Sequence, residues 1–334
     1  MRDDTSRKHT NVFQMYASID GRSNIECFYD PGLGAPAEGE LAWTRTFRNL
    51  WSKATGWGIT ANVVDCYEAL LTRWAPDRKI GLFGFSRGAY TVRCLGGVLA
   101  TCGIATAASA ANRRGAAEEA VAIYKIKDKT ARGKAAQEFA SRYQAVAAIP
   151  DVIGVYDTVK ALGLPGIMDL VNPYRHEFHD NELSVRIPLG LHALSIDENR
   201  KTFAPELWDD PDEATAGDQI IEQCWFPGVH SDIGGGYDDN RLADNTLAWM
   251  LERLDALAGL KFPISVATES TILGPAHDER TGFGKLWRAG NRTIRGESVE
   301  VASLCRGIER RFKEHVPRYR PAALSNHPRV KPLY

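Results

Sequence analysis

The stretch Ile80-Gly81-Leu82-Phe83-Gly84-Phe85-Ser86-Arg87-Gly88-Ala89 leaves few folds open to this chain. Its apolar run predicts a buried strand, and Val92, Leu95 and Leu99 begin a 3.6-residue face directly after it. Strand, sharp turn and helix form the context in which Gly-x-Ser-x-Gly means a nucleophile elbow. At such a turn the serine sits in a strained backbone conformation. Gly84 and Gly88, two residues to either side, are then expected to crowd it, so that neither tolerates a large side chain. The hydroxyl stands clear of the sheet edge near the positive end of a helix, and the Arg87 backbone N–H is placed to meet a developing oxyanion. The expected class is therefore α/β, a mostly parallel central sheet flanked by helices.

The remaining segments fill in that plan. Asn24–Tyr29 alternates like a strand and ends at the loop Asp30-Pro31-Gly32-Leu33-Gly34. Trp43, Phe47, Trp51 and Trp57 form an aromatic stretch, readable as a satellite core or as a substrate-facing lip. A helix is expected from an Asn62 cap through Val63, Tyr67, Leu70, Leu71 and Trp74. Residues 105–148 have helical-hairpin composition, interrupted near Gly115 and Gly133, and are read as a cap or lid-like insertion. Their Lys125, Lys127 and Lys129 read as a solvated face. Asp151–Tyr156 is a buried strand with Asp157 at its carboxyl end, where open α/β sheets keep their active groups. An apolar loop follows at Leu164–Met168. A helix is expected from Pro188 through Ile196, carrying His192 and reaching Asp197. A short strand, Gln223–Phe226, leads through Pro227-Gly228 into a glycine-rich loop that carries His230 and Asp232. Leu242–Leu260 is amphipathic. From residue 274 to 334 the chain is basic, with a helix expected near 299–312, and reads as an elaboration packed on one domain spanning 1–334.

A serine hydroxyl needs an adjacent base, usually a histidine held by a carboxylate. Hydrolases built on this elbow present serine, acid and histidine in that order. Of eight histidines, His230 alone combines a preceding strand, a Pro-Gly break and a glycine loop able to bring it across to another strand's end. Asp157 is the leading acid. Asp197, beside Glu198 and Arg200 in the expected helix, reads as an ion-pairing residue, and Asp232, two residues from His230, reads as a brace for its loop.

Composition excludes several other classes. A net charge of -1 leaves no global basic field to gather nucleic acid or anionic lipid. The six cysteines are scattered without a C-x-x-C pair, so they read as small buried hydrophobes, with neither a metal site nor any other cofactor indicated. The polar first residues contain no signal peptide, and no stretch is long and apolar enough to span a bilayer, so any membrane contact would be peripheral.

Four ordered motifs carry a more specific likeness: Gly84–Ala89, Gly154–Val159, His192–Glu198 and Trp225–Tyr237. Together with Thr10-Asn11-Val12 and Tyr29–Gly34 they resemble the α/β-hydrolase family of bacterial and fungal proteins that includes the type VI secretion phospholipase effectors. The resemblance implies a serine hydrolase with Ser86, Asp157 and His230 as its triad. It further implies a lipid or other acyl-ester substrate, cleavage of phospholipid acyl esters in characterised members, and a secretion or immunity protein as partner. The protein is then cytoplasmic or exported without a signal peptide by a contact-dependent system. One departure stands out. The family opens with a strand leading to an Asp-Gly-Thr loop, whereas only Met1 and Arg2 precede Asp3-Asp4-Thr5 here. The sheet is therefore expected to be one strand short or the chain truncated, which could weaken the oxyanion hole and expose a sheet edge. Two alternatives remain at this stage: a degenerate hydrolase that binds lipid or protein without turnover, and a carboxylesterase or peptidase on the same triad.

Overall fold

In the computed structural model, the segment Gly81–Phe85 (β1) is a strand that pairs in parallel with Val152–Tyr156 (β4), Phe85 lying opposite Tyr156. The structure describes residues 9–31, 57–106, 111–159, 183–209, 217–266, 271–281, 284–285, 287–294, 302–315 and 317–334. Leu189–Ser195 (β5), Ile220–Phe226 (β6) and Ala302–Leu304 (β7) extend the sheet in the order β1-β4-β5-β6-β7, every pair parallel. Among the described residues β1 is a terminal strand, with no strand on its far side.

Side-chain alternation on these strands builds two cores, one on each face. Ile153 and Val155 of β4 join Leu82 beneath the helices Trp57–Arg73 (α2) and Arg87–Cys102 (α3). Val152 and Tyr156 point the other way, toward Met15 of Asn11–Ile19 (α1), Leu247, Met250 and Leu254 of Arg241–Ala258 (α7), and Ile308 and Phe312 of Ile308–Glu314 (α8). The result is the α/β-hydrolase-like arrangement expected from the elbow, a parallel sheet between two helical layers.

Several segments differ from their sequence reading. Pro188–Ile196 contains a strand, not a helix. All seven residues of β5 are buried on both faces, so the alternation that marks a half-exposed strand is missing, and the helix expectation rests on Leu191, Leu194 and Ile196 behind Pro188. Asn24–Tyr29 is irregular, and Asn62 lies inside α2, which starts at Trp57, well before a cap at that position allows. The insertion does form two helices, Arg113–Tyr124 (α4) and Lys129–Tyr143 (α5), but both run through their glycines, Gly115 and Gly133, and break at Lys125–Asp128 instead. A short antiparallel pair, Ile104–Ala105 (β2) with Ala145–Val146 (β3), ties off their base.

This helical pair packs on α3. The Tyr124 ring fills the space beside Gly97, and Cys102 Sγ donates to Ala120 O at 3.7 Å, which places the pair against the far, carboxyl-terminal half of α3. The expected helix near 299–312 divides into β7 and α8. Cys94, Cys102, Cys224 and Cys305 are buried, and Cys27 and Cys66 half-buried, all six as free thiols. The aromatic stretch at 43–56, the side chain of Trp57 and the apolar loop at 164–168 lie outside the described residues.

Candidate active site

The carboxyl ends of β1, β4 and β6 supply the site, with β5 lying between the last two. Ser86 follows β1 directly, with φ 59° and ψ −122°, and is the residue on which α3 starts. Its N–H donates to Tyr156 O at 3.1 Å, which keeps the elbow tied to β4. Gly84 makes the turn possible. A Cβ there would lie 2.4 Å from Gly88 O and 2.6 Å from Ala89 Cα, both backbone atoms of the incoming helix. Gly88 is different from its sequence reading: among the described residues nothing lies within 4 Å of a Cβ built on it, so of the two glycines only Gly84 meets a steric requirement there. Arg87 is the first residue of α3 and sets its backbone N–H beside Ser86, at the helix's positive end.

Asp157 follows β4 with φ 42°, a left-handed conformation unusual for a residue other than glycine. The strain is over-determined by its bonds. Its N–H donates to Ala193 O at 2.7 Å, and its Oδ1 accepts from Ser195 N at 2.9 Å. His230 begins the one-turn helix His230–Gly234 (α6), which replaces the expected flexible loop. Gly228, at φ 108°, turns the chain from β6 into it.

These placements bring Ser86, His230 and Asp157 together although 144 and 73 residues separate His230 from its two partners. Ser86 Oγ lies 2.8 Å from His230 Nε2, and His230 Nδ1 lies 2.6 Å from Asp157 Oδ2. Both His230 and Asp157 are buried. Burial works to raise the Asp157 carboxyl, but the Arg292 charge and the hydrogen bonds from His230 and Arg292 outweigh it and hold it well below the ordinary carboxylate range. An ionised carboxylate only accepts, so the proton of this contact sits on Nδ1. The rings of Phe85 and Phe203 flank the imidazole at 4.7 and 5.3 Å.

The other sequence candidates have supporting places. Asp232 accepts from Val229 N at 3.0 Å and from His277 N and Nδ1 at 3.0 and 2.6 Å, bracing the turn into α6. Asp197 makes no ion pair among the described residues: it accepts from Gly228 N at 2.6 Å and from the Tyr319 hydroxyl, and burial raises it to about 6. The ion pair of that segment is Glu198 with Arg200, and Glu198 Oε2 also accepts from His230 N at 3.2 Å. His192, inside β5, accepts from Thr158 N through Nε2 and faces Gln223 Oε1 through Nδ1. Burial, reinforced by the Arg93 charge, lowers it to about 3, so it is a neutral structural ring.

Sequence reasoning missed two contributors. Asn11 is buried in α1 and donates through Nδ2 to Ile233 O, Ala243 O and Thr246 Oγ1 at 2.9–3.0 Å, pinning α6 to α7. Arg292 reaches Asp157 from 135 residues away. Asn11 enters the sequence reading only as part of the Thr10-Asn11-Val12 likeness, without a role, and Arg292 lies in no local pattern that spacing could pick out. Among the described residues no group of His, Cys, Asp and Glu is arranged to hold a metal ion, and no helix is long and apolar enough to cross a membrane.

Residues 1–253 match the family described as "T6SS, Phospholipase effector Tle1-like, catalytic domain". The chain belongs to this family. It is also similar to the "Uncharacterized protein YEL023C" of Saccharomyces cerevisiae, at 26% identity over 103 residues. That alignment covers 28% of this chain and 15% of the yeast protein. No solved structure is significantly similar. The Tle1-like match contains Ser86, Asp157 and His230, and it stops short of Arg292 and the C-terminal strand.

Proposed function

We propose that this Tle1-like chain is a serine hydrolase that cleaves an acyl ester of a phospholipid or related lipid through an acyl-enzyme. The observation that carries the reading is the unbroken hydrogen-bond chain Ser86 Oγ–His230 Nε2 and His230 Nδ1–Asp157 Oδ2, at 2.8 and 2.6 Å, at the rim of the sheet. Ser86 Oγ attacks the ester carbonyl as Nε2 takes its proton. The carbonyl oxygen gathers negative charge, and the Arg87 N–H donates to it at the start of α3. Collapse expels the alcohol portion, which takes the proton back from Nε2, and leaves the acyl group on Ser86. Water then enters, gives a proton to Nε2, and releases the fatty acid while Ser86 recovers its hydrogen. Asp157 stays ionised throughout and stabilises the transient imidazolium.

The lipid substrate is supported by membership of a phospholipase effector family. On the same basis we assign export by a contact-dependent secretion system and an immunity protein as the partner that restrains the enzyme at home. Release of fatty acid from phospholipid vesicles, with loss in Ser86→Ala, is the expected result. Vesicle binding with no fatty acid released, unchanged in Ser86→Ala, would instead favour a non-catalytic lipid-binding role. Faster turnover of short p-nitrophenyl esters or peptides than of phospholipid would move the substrate to a carboxylesterase or peptidase class.

A further inference from the structure

The acid of the triad has a second charged partner. Arg292 Nη2 donates to Asp157 Oδ2 at 2.8 Å and Nη1 donates to Oδ1, a fork that meets both carboxylate oxygens. We propose that Arg292 is a positioning residue of the hydrolytic site: it fixes the plane of the Asp157 carboxylate against His230, and its charge tunes how readily the imidazole takes up a proton. This inference rests on the triad reading of Ser86, His230 and Asp157.

The geometry argues for orientation as well as neutralisation. The same guanidinium donates from Nη1 to Ser195 O at 2.9 Å and from Nη2 to Phe203 O at 2.8 Å. Four donors are thus used in one plane, while Nε, also buried, has no hydrogen-bond partner among the described residues. A planar fork aligned by two carbonyls can hold a carboxylate in only one orientation, which a lysine ammonium could not do. The segment bearing Arg292 is itself tied down. Lys201 N donates to Arg288 O at 3.0 Å, Gly290 N donates to Asn199 O at 2.9 Å, and Arg200 bridges Ala289.

A cation fixed behind Asp157 also opposes the new positive charge created when the imidazole is protonated. Among the described residues the other carboxylates near His230 have partners of their own. Glu198, which accepts from His230 N, is bound by Arg200, which also pairs with Glu279; Asp232 of α6 is bound by His277. His192, behind Asp157, is neutral, and Arg93 stands beyond it. Arg292 is therefore the charge whose removal changes the balance at the triad most directly. It lies beyond the matched catalytic segment, so the site is completed by the C-terminal part of the chain.

The test uses the full chain, with Arg292→Met and Arg292→Lys, in phospholipid hydrolysis followed across pH. Arg292→Met is expected to lower kcat by ~10–100-fold with little change in KM, because the acid no longer holds the imidazole in place. Its acid limb of kcat/KM should move to higher pH by about one unit. Arg292→Lys should lose kcat ~10-fold, since it lacks the fork, yet keep the native acid limb, since it keeps the charge. Native kcat in either variant overturns the inference. So does a folded Arg292→Met with a lower Tm and an unmoved acid limb, which would make the arginine structural only. If Arg292→Met fails to fold, kcat and the acid limb of Arg292→Lys decide. An unchanged native rate in Ser86→Ala would instead sink the triad reading beneath the inference.

Discussion

Adding one methyl group at Gly84 should disable this protein, whereas the same methyl at Gly88 should not destabilise it. In Gly84→Ala the new Cβ would sit 2.4 Å from Gly88 O and 2.6 Å from Ala89 Cα, against a limit near 3.0 Å that real contacts respect. Both atoms are backbone, so no side chain can rotate away. The start of α3 must retreat by more than half an ångström, and Ser86 lies on the hinge of that movement. Overpacking of this kind costs about 1–3 kcal/mol. For a chain of this length that lowers Tm by about 1–4 °C. The displacement also lengthens the 2.8 Å contact between Ser86 Oγ and His230 Nε2, and misplacement on that scale costs ~100-fold in turnover. Among the described residues Gly88 faces open space inside α3, so Gly88→Ala removes backbone freedom from the unfolded chain and should stabilise by about 0.5–1 kcal/mol. Thermal melts of both variants, with ester turnover measured for Gly84→Ala, check the contrast. Equal loss of stability in the two, or native Tm and turnover in Gly84→Ala, would refute the steric account of the elbow.

Three further outcomes follow from the same contacts. Asp157→Asn should lower kcat by ~10,000-fold with KM little changed, as a neutral amide no longer holds the Nδ1-protonated ring. It should also cost about 3–5 kcal/mol by leaving Arg292 buried without its carboxylate, a loss that Arg292→Met in the same chain recovers in part, as read by denaturant titration. Asn11→Ala should cost about 3 kcal/mol in urea unfolding, because Ile233 O, Ala243 O and Thr246 Oγ1 share the donor it removes. Asp197 holds its proton to about 6 in the folded protein, against 3.8 ordinarily, because burial opposes its charge. The folded state therefore binds more protons than the unfolded one within that window, and stability falls as pH rises through it. The Tm advantage of Asp197→Asn over the native chain should grow across the same interval and level off above it; a constant difference at all pH values would contradict the raised carboxyl.

What the sequence revealed followed the physics of local patterns. The elbow was legible because a strand, a serine and a helix within twenty residues leave a period change and a glycine that backbone crowding explains. His230 and Asp157 were legible because each closes an apolar run that ends at the same rim of the sheet. The β5 segment reads as a helix in sequence, since a strand buried on both faces shows no alternation, and Pro188 ahead of Leu191, Leu194 and Ile196 is compatible with a helix start. Gly88 shows a related limit: the motif names two glycines, but only the path of α3 reveals which one a Cβ would strike. Arg292 left no trace at all. Its role depends on two carbonyls and a carboxylate assembled from β4, β5 and the segment after it, and no spacing along the chain encodes that meeting.

The most direct measurement is mass mapping of the adduct left by a fluorophosphonate on the intact protein. A single adduct on Ser86, formed rapidly in the native chain and far more slowly in His230→Gln, is the outcome predicted for a serine activated by that imidazole. Modification of a different residue, or labelling of Ser86 at the same rate without His230, would contradict it.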